Sequence, residues 1–133
     1  MRQRRARGGN PVAGPINYVT TGSRVYGVHK LESDLDLAML TPDCKRIRKG
    51  LEAKGFKIEQ TEAQGRYGDD GGFYFNLFGI KFNIISVGDD CDLEAWADAT
   101  KEMLSADPIE DKKERSIVFR NIFNESLEAI LPS

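Results

Sequence analysis

Histidine and cysteine are scarce in this chain of 133 residues, which holds one histidine and two cysteines. The single His29 excludes mechanisms that need two or more imidazoles, such as those of three-histidine zinc hydrolases and HExxH proteases. A Ser-His-Asp or Cys-His triad would have to use His29, and no GxSxG sequence supports one. Cys44 and Cys91 have no second Cys or His at metal-ligand spacing, so neither a disulfide framework nor a structural zinc site is expected.

Long apolar runs and an excess of one charge are also missing. No segment approaches the roughly 20 consecutive apolar residues that cross a membrane, and the N-terminus lacks the apolar stretch of a secretory signal. The chain has 19 Lys and Arg against 21 Asp and Glu, so it is not a globally basic nucleic-acid-binding protein. Its length fits one domain with one proper core. We expect a cytoplasmic protein with no membrane contact.

The first 15 residues differ in composition from the rest of the chain. Residues 1–15 combine an arginine cluster with glycines and prolines, and Val12 is their one large aliphatic side chain. This composition predicts a flexible arm, followed by a single domain at residues 16–133. Arginine clusters can contact phosphates, so nucleic-acid contact through the arm is one interpretation and a solvated tail is the other.

The pattern of apolar and turn-forming residues predicts an α+β fold. β-Branched and alternating apolar residues predict strands at 18–21, 35–40, 56–60, 73–78 and 81–87, the last two joined as a hairpin at Gly79-Ile80. The glycine-rich segment 64–72 is expected to be a loop. Helical spacing predicts helices at about 42–54, beyond Asp92, and after an N-cap at Asp107, with a short helix beginning at Ser23. This order predicts a small mixed β-sheet flanked by helices.

Two short motifs carry the chemistry that the sequence suggests. Asp34 and Asp36 stand two residues apart at the start of a predicted strand, so both carboxylates should lie on one face of the sheet. Mg²⁺ prefers oxygen ligands and is usually held by one or two carboxylates plus substrate phosphates. Gly22 ends the preceding strand without a side chain that would block a phosphate, and the Ser23 hydroxyl and nearby N–H groups can meet it. The alternative for Asp34 and Asp36 is a solvated start of a strand, and the alternative for Gly22 and Ser23 is a turn that binds no ligand.

The Gly22-Ser23 pair, ten intervening residues and Asp34-Leu35-Asp36 resemble the signature of the DNA polymerase beta superfamily of nucleotidyltransferases. The resemblance covers about residues 18–87, and the small size is similar to minimal prokaryotic or phage-type members. It implies transfer of a nucleoside monophosphate from an NTP, such as ATP, to a hydroxyl with two divalent metals, Mg²⁺ or Mn²⁺. Asp34 and Asp36 would be catalytic metal ligands. The implied nucleotide-binding residues are Gly22, Ser23, Arg24 and Ser33.

The sequence departs from the superfamily pattern at its third carboxylate, where the matching residue is Asn83. Asparagine can ligate a metal through its carbonyl oxygen, but it carries no charge and takes no proton from an attacking hydroxyl. The metal that activates the nucleophile should therefore bind more weakly, which compromises a two-metal mechanism. Glu59 or the Asp69-Asp70 pair could supply a replacement carboxylate.

Three functions are compatible with these motifs. The first is a metal-dependent nucleotidyltransferase, whose acceptor could be RNA, a small molecule or a protein hydroxyl. The second is a degenerate member that binds nucleotide without turnover, because Asn83 replaces the third acid. The third is a protein or nucleic-acid adaptor that makes contact through its arginine-rich arm. Magnesium-dependent NTP binding separates the first two functions from the third.

Overall fold

The computed structural model describes residues 16–27, 34–61 and 69–131. The arm at residues 1–15, His29 and Ser33 lie outside the described residues. The elements are β1 (Tyr18–Thr21), α1 (Ser23–Tyr26), β2 (Leu35–Leu40), α2 (Thr41–Ala53), β3 (Glu59–Thr61), β4 (Asp69–Leu77), β5 (Ile80–Val87), α3 (Asp90–Ser105) and α4 (Lys112–Ile130). This is the predicted order, and the α+β class is confirmed. Among the described helices, none has the length and apolar character needed to cross a lipid bilayer.

The five strands form one mixed sheet in the order β1-β2-β5-β4-β3. β2 and β5 are parallel neighbours, whereas β1 pairs with β2, β4 with β5 and β3 with β4 in antiparallel fashion. Because β2 and β5 run in the same direction, their first residues lie at the same edge of the sheet. The polar start of β2 is thereby placed beside the first half of β5.

Helices cover both faces of the sheet, and the alternation along β2 divides its residues between them. Ala38 and Leu40 belong to one apolar cluster together with α3 and α4, which contribute Trp96, Phe119 and Phe123 as buried aromatic side chains. Asp36 lies on the same face as Ala38, two residues earlier, where the apolar cluster ends.

The opposite face is covered by α2. Met39 on β2, Phe73 on β4 and Ile84 on β5 pack there against Cys44 of α2. α2 ends in the pattern expected of a helix closed by glycine, since Phe56 N–H donates to Leu51 O and Gly55 N–H donates to Glu52 O. The centre of this second face is therefore an apolar cluster, and the buried Ser86 hydroxyl nearby is hydrogen-bonded to Thr41.

The start of α4 is later than the sequence predicts. Asp111 is the N-cap, and its carboxylate accepts from Glu114 N–H at 2.9 Å, whereas Asp107 lies outside the helix. The sequence contains the same Asp-x-x-Glu pattern twice, four residues apart, at Asp107 and at Asp111. Arg115 decides between them, because its Nη1 donates to the carbonyls of residues 109 and 110 and holds that segment outside the helix.

Two strand boundaries also differ from the sequence prediction. β3 begins at Glu59, because Phe56 and Ile58 pack against the α2 cluster ahead of the strand. β4 begins at Asp69, within the segment predicted to be a loop. Gly72 allows this pairing: a Cβ there would collide with the carbonyl oxygen of Ile84, next to a register shift between β4 and β5. The glycine-rich segment is therefore partly strand, paired irregularly with β5.

Candidate functional site

One row of side chains crosses the whole sheet near the start of β2. Thr21 on β1 is paired with Asp36 on β2, Asp36 with Asn83 on β5, Asn83 with Tyr74 on β4, and Tyr74 with Glu59 on β3. Side chains of directly paired residues project from the same face. The row lies on the face that α3 and α4 cover farther along the strands, so it forms a polar margin beside the apolar core.

Asp36 is the most strongly perturbed titratable group of this row. Burial raises its pKa from 3.8 to about 6, and a hydrogen bond from the Asn83 side chain opposes the shift. The charge of Asp34 raises the pKa further, whereas the charge of Lys112 at the start of α4 lowers it. A bound cation would favour the ionised carboxylate, because an opposite charge nearby stabilises the charged form.

Gly22 brings the two sequence motifs into contact. Its φ of 87° and ψ of −177° belong to a region that essentially only glycine adopts. A Cβ at this position would collide with Asp36 Oδ2 and would lie 2.9 Å from Asp36 Cγ. The backbone of the Gly22-Ser23 turn therefore rests directly against the carboxylate. Twelve residues separate Ser23 from Asp36 in the sequence, so folding brings the two motifs together.

A buried pair of threonines fixes the strand end that precedes this turn. Thr21 is 1% exposed, and its hydroxyl lies 2.7 Å from the hydroxyl of Thr100 on α3. Thr100 uses its one proton to donate to Trp96 O, also at 2.7 Å, so Thr21 is the donor to Thr100. Both hydroxyl groups are thus satisfied, and the end of β1 is fastened to α3.

The other end of α1 is held by α4. Tyr26 stacks on Phe119 with ring centroids 5.8 Å apart. One turn earlier on α4, the Arg115 side chain packs against Gly27, where an added Cβ would lie 2.9 Å from Arg115 Nε. The buried Arg115 also donates through Nη1 to Ile109 O at 2.8 Å. The turn beside Asp36 is therefore supported by two helices, α3 and α4, rather than by its own short sequence.

Two residues of the site carry no signal in the sequence motifs. Burial raises the pKa of Tyr74, with further contributions from the charges of Asp34, Asp36 and Glu59, so the phenol lies within the field of the carboxylates. Lys112 is the other, and its effect on Asp36 comes from the packing of α4. The Tyr74 ring also contacts Lys81 on β5, whose Nζ lies 4.1 Å from the ring centroid. Cross-strand pairing alone would have revealed Tyr74, once the register was known.

Two of the candidate replacements for the third carboxylate, Glu59 and Asp69, are not paired with Asn83 in the sheet. Glu59 lies two strands away from Asn83, a separation of roughly 10 Å at ordinary strand spacing. Asp69 is paired with Val87, at the opposite end of β5 from Asn83. Within residues 16–27, 34–61 and 69–131, no group of three or more His, Cys, Asp or Glu side chains could hold a metal ion.

The structure brings Gly22, Asp34, Asp36 and Asn83 together, and it places Ser23 and Arg24 on α1 beside them. The acidic residues 89, 90 and 92 lie at the start of α3, where Asp89 is the N-cap and accepts from Cys91 N–H, so they serve the helix. Comparison of the chain with protein-family models, with curated proteins and with solved structures finds no match in any of the three.

Proposed function

We propose that this protein is a metal-dependent nucleotidyltransferase, which transfers a nucleoside monophosphate from an NTP to an acceptor hydroxyl. The contact between the Gly22 backbone and the Asp36 carboxylate carries the proposal. It joins a turn without a side chain, suited to phosphate oxygens, to a carboxylate suited to a cation. A magnesium-bound triphosphate needs both kinds of group within a few ångströms of each other.

The oxygen donors at this position suit Mg²⁺ or Mn²⁺. Asp34 and Asp36 would hold the cation by their carboxylates, and phosphate oxygens of the NTP would complete its coordination. The bound metal would supply charge neutralisation at the phosphates and polarise them toward attack. Gly22 and Ser23 would position the β and γ phosphates, and Arg24 and Ser33 belong to the same proposed contact surface. Catalysis would then rest on positioning and electrostatics.

A second candidate function is nucleotide binding without turnover. Asn83 favours it, because this residue occupies the position next to Asp36 where a third carboxylate would assist the acceptor hydroxyl.

The acceptor in the first candidate is a hydroxyl of RNA, a small molecule or a protein. A cytoplasmic location and nucleic-acid contact through the arginine-rich arm belong to the same proposal.

Thermal unfolding with each of the four NTPs, with and without Mg²⁺ or Mn²⁺, tests the nucleotide site. A ligand at 100 times its Kd adds about 2.7 kcal/mol of stability, which should raise the Tm of a domain of this size by roughly 10 °C. We expect a metal-dependent rise in wild type that disappears in Asp34→Asn and Asp36→Asn. Asp98→Asn, an exposed aspartate on α3, is the matched control and should keep the full rise.

Turnover then separates the two nucleotide-dependent candidates. Release of pyrophosphate from the stabilising NTP, in the presence of a candidate acceptor, identifies the transferase. Binding without pyrophosphate release from any acceptor, together with activity gained by Asn83→Asp, identifies the degenerate form. If no NTP stabilises the protein with either metal, both nucleotide functions are wrong and the adaptor function remains.

A further inference from the structure

The donor set around Asp36 is small for a pair of divalent cations. Two-metal sites hold their ions about 3.5–4 Å apart, so each ion needs anionic ligands that offset the repulsion between them. Among the described residues, Asp34 and Asp36 are the acidic groups that meet here, and that part of the chain contains no cluster of three acidic or other metal-ligating side chains. Two carboxylates match the usual number for a single magnesium ion with a bound phosphate chain.

Asn83 also uses part of the hydrogen-bonding and metal-binding capacity of the Asp36 carboxylate. An ionised carboxylate can only accept hydrogen bonds, so the Asn83 amide N–H is the donor in the bond between these side chains. A carboxylate that bridges two cations needs its lone pairs on both sides. Here the side that faces β5 meets an amide hydrogen, which carries partial positive charge, where a second cation would need an oxygen.

Positively charged side chains near the site also disfavour a second divalent cation. Lys112 from α4 acts on Asp36, and Lys81 on β5 lies over the Tyr74 ring on the far side of Asn83. Lys112 thus adds positive charge near Asp36, and Lys81 adds it near Tyr74, the pairing partner of Asn83. Positive charge is thus already present around the acidic pair, and it further disfavours a second divalent ion.

We propose that the site binds one divalent cation with its nucleotide, and that Asn83 excludes the second. This inference rests on the proposed nucleotide site and specifies its metal content. The single cation lies with Asp34, Asp36 and the phosphates, and the acceptor side of the site, next to Asn83 and Tyr74, holds no metal. The superfamily resemblance implies two metals, so the inference corrects that expectation for this chain.

Electron paramagnetic resonance of bound Mn²⁺ tests the inference without any turnover. The full-length protein is saturated with Mn²⁺ and the non-hydrolysable α,β-methylene analogue of ATP, and bound Mn²⁺ per protein is counted after subtraction of the protein-free nucleotide. We expect one bound ion with the spectrum of an isolated Mn²⁺. Two ions with a dipole-coupled spectrum in wild type would overturn the inference and leave the nucleotide site intact.

Matched variants assign the exclusion to Asn83. Asn83→Asp should double the number of bound ions and produce the coupled spectrum, whereas Asn76→Asp, on the exposed part of β4, should leave one isolated ion. A single ion in Asn83→Asp would show that Asn83 is not the excluding residue. Asp36→Asn should lose the bound ion; if wild type itself binds no Mn²⁺ with the analogue, the proposed function fails and the inference fails with it.

Discussion

Replacing Gly22 by alanine should destabilise the protein and abolish the candidate nucleotide site together. The backbone conformation of Gly22, with φ of 87° and ψ of −177°, costs a non-glycine residue about 1–3 kcal/mol. The new Cβ would also collide with Asp36 Oδ2, so the carboxylate or the turn has to move. We expect a loss of about 3 kcal/mol in the free energy of unfolding, or a fall in Tm on the order of 10 °C.

Two other glycines make matched controls for this substitution. Gly50 lies inside α2 with open space around an added Cβ, so Gly50→Ala should stabilise the protein by about 0.5–1 kcal/mol. Gly55 has a φ of 90° and the same open space, so Gly55→Ala isolates the backbone strain and should cost about 1–2 kcal/mol. The excess loss in Gly22→Ala over Gly55→Ala measures the contact with Asp36.

Chemical denaturation gives the three free energies, and the NTP-dependent rise in Tm gives the state of the site. Gly22→Ala should lose that rise, whereas Gly50→Ala and Gly55→Ala should keep it, since neither glycine lies near Asp36. Equal free energies of unfolding for Gly22→Ala and Gly55→Ala would show that the turn does not rest on the Asp36 carboxylate.

Three further predictions concern the surroundings of this contact. The folded-state pKa of Asp36 is raised to about 6, so the stability that this group contributes is full below pH ~4 and is lost as the pH rises through 6. Asp36→Asn should therefore be more stable than wild type above pH 7, by an amount on the order of 2 kcal/mol that shrinks toward pH 4; a constant difference in denaturant titrations would contradict this. Lys112→Gln should raise the pKa of Asp36 in a carboxyl NMR titration, whereas Lys113→Gln should raise it less or not at all, and equal effects would count against the placement of Lys112. Thr100→Val should cost about 1–3 kcal/mol by stranding the buried Thr21 hydroxyl, and the double Thr21→Val, Thr100→Val variant should recover part of that loss; strictly additive losses would argue against the bond.

The order of elements and the mixed sheet could be predicted because periodicity and turn residues are local properties of the sequence. The boundaries that the sequence predicts wrongly, at the start of α4 and of β4, lie where the local sequence fits two different structures. Asp107 and Asp111 offer the same capping pattern, and the hydrogen bonds from Arg115 to the carbonyls of residues 109 and 110 hold the first of them outside the helix. Gly72 looks like a loop residue, but it serves close strand approach in β4.

The candidate site was only partly accessible from the sequence. The motif spacing identified Gly22 and Asp36, but their direct contact depends on how β1 and β2 pair. Tyr74 and Lys112 could not be identified, because their proximity to Asp36 arises from sheet register and from the packing of α4. The burial that raises the pKa of Asp36 is likewise a property of the assembled fold.

Amide chemical-shift mapping by NMR is the sharpest test of a nucleotide site at Gly22 and Asp36, because it locates the nucleotide as well as detecting it. A magnesium-bound NTP, added to the isotope-labelled protein, should perturb the amides of residues 22–26, Asp34, Asp36 and Asn83 most strongly. The same nucleotide without Mg²⁺ should have little effect on Asp34 and Asp36. Perturbations confined to other parts of the fold, or none at saturating concentration, would contradict a nucleotide site at the contact between Gly22 and Asp36.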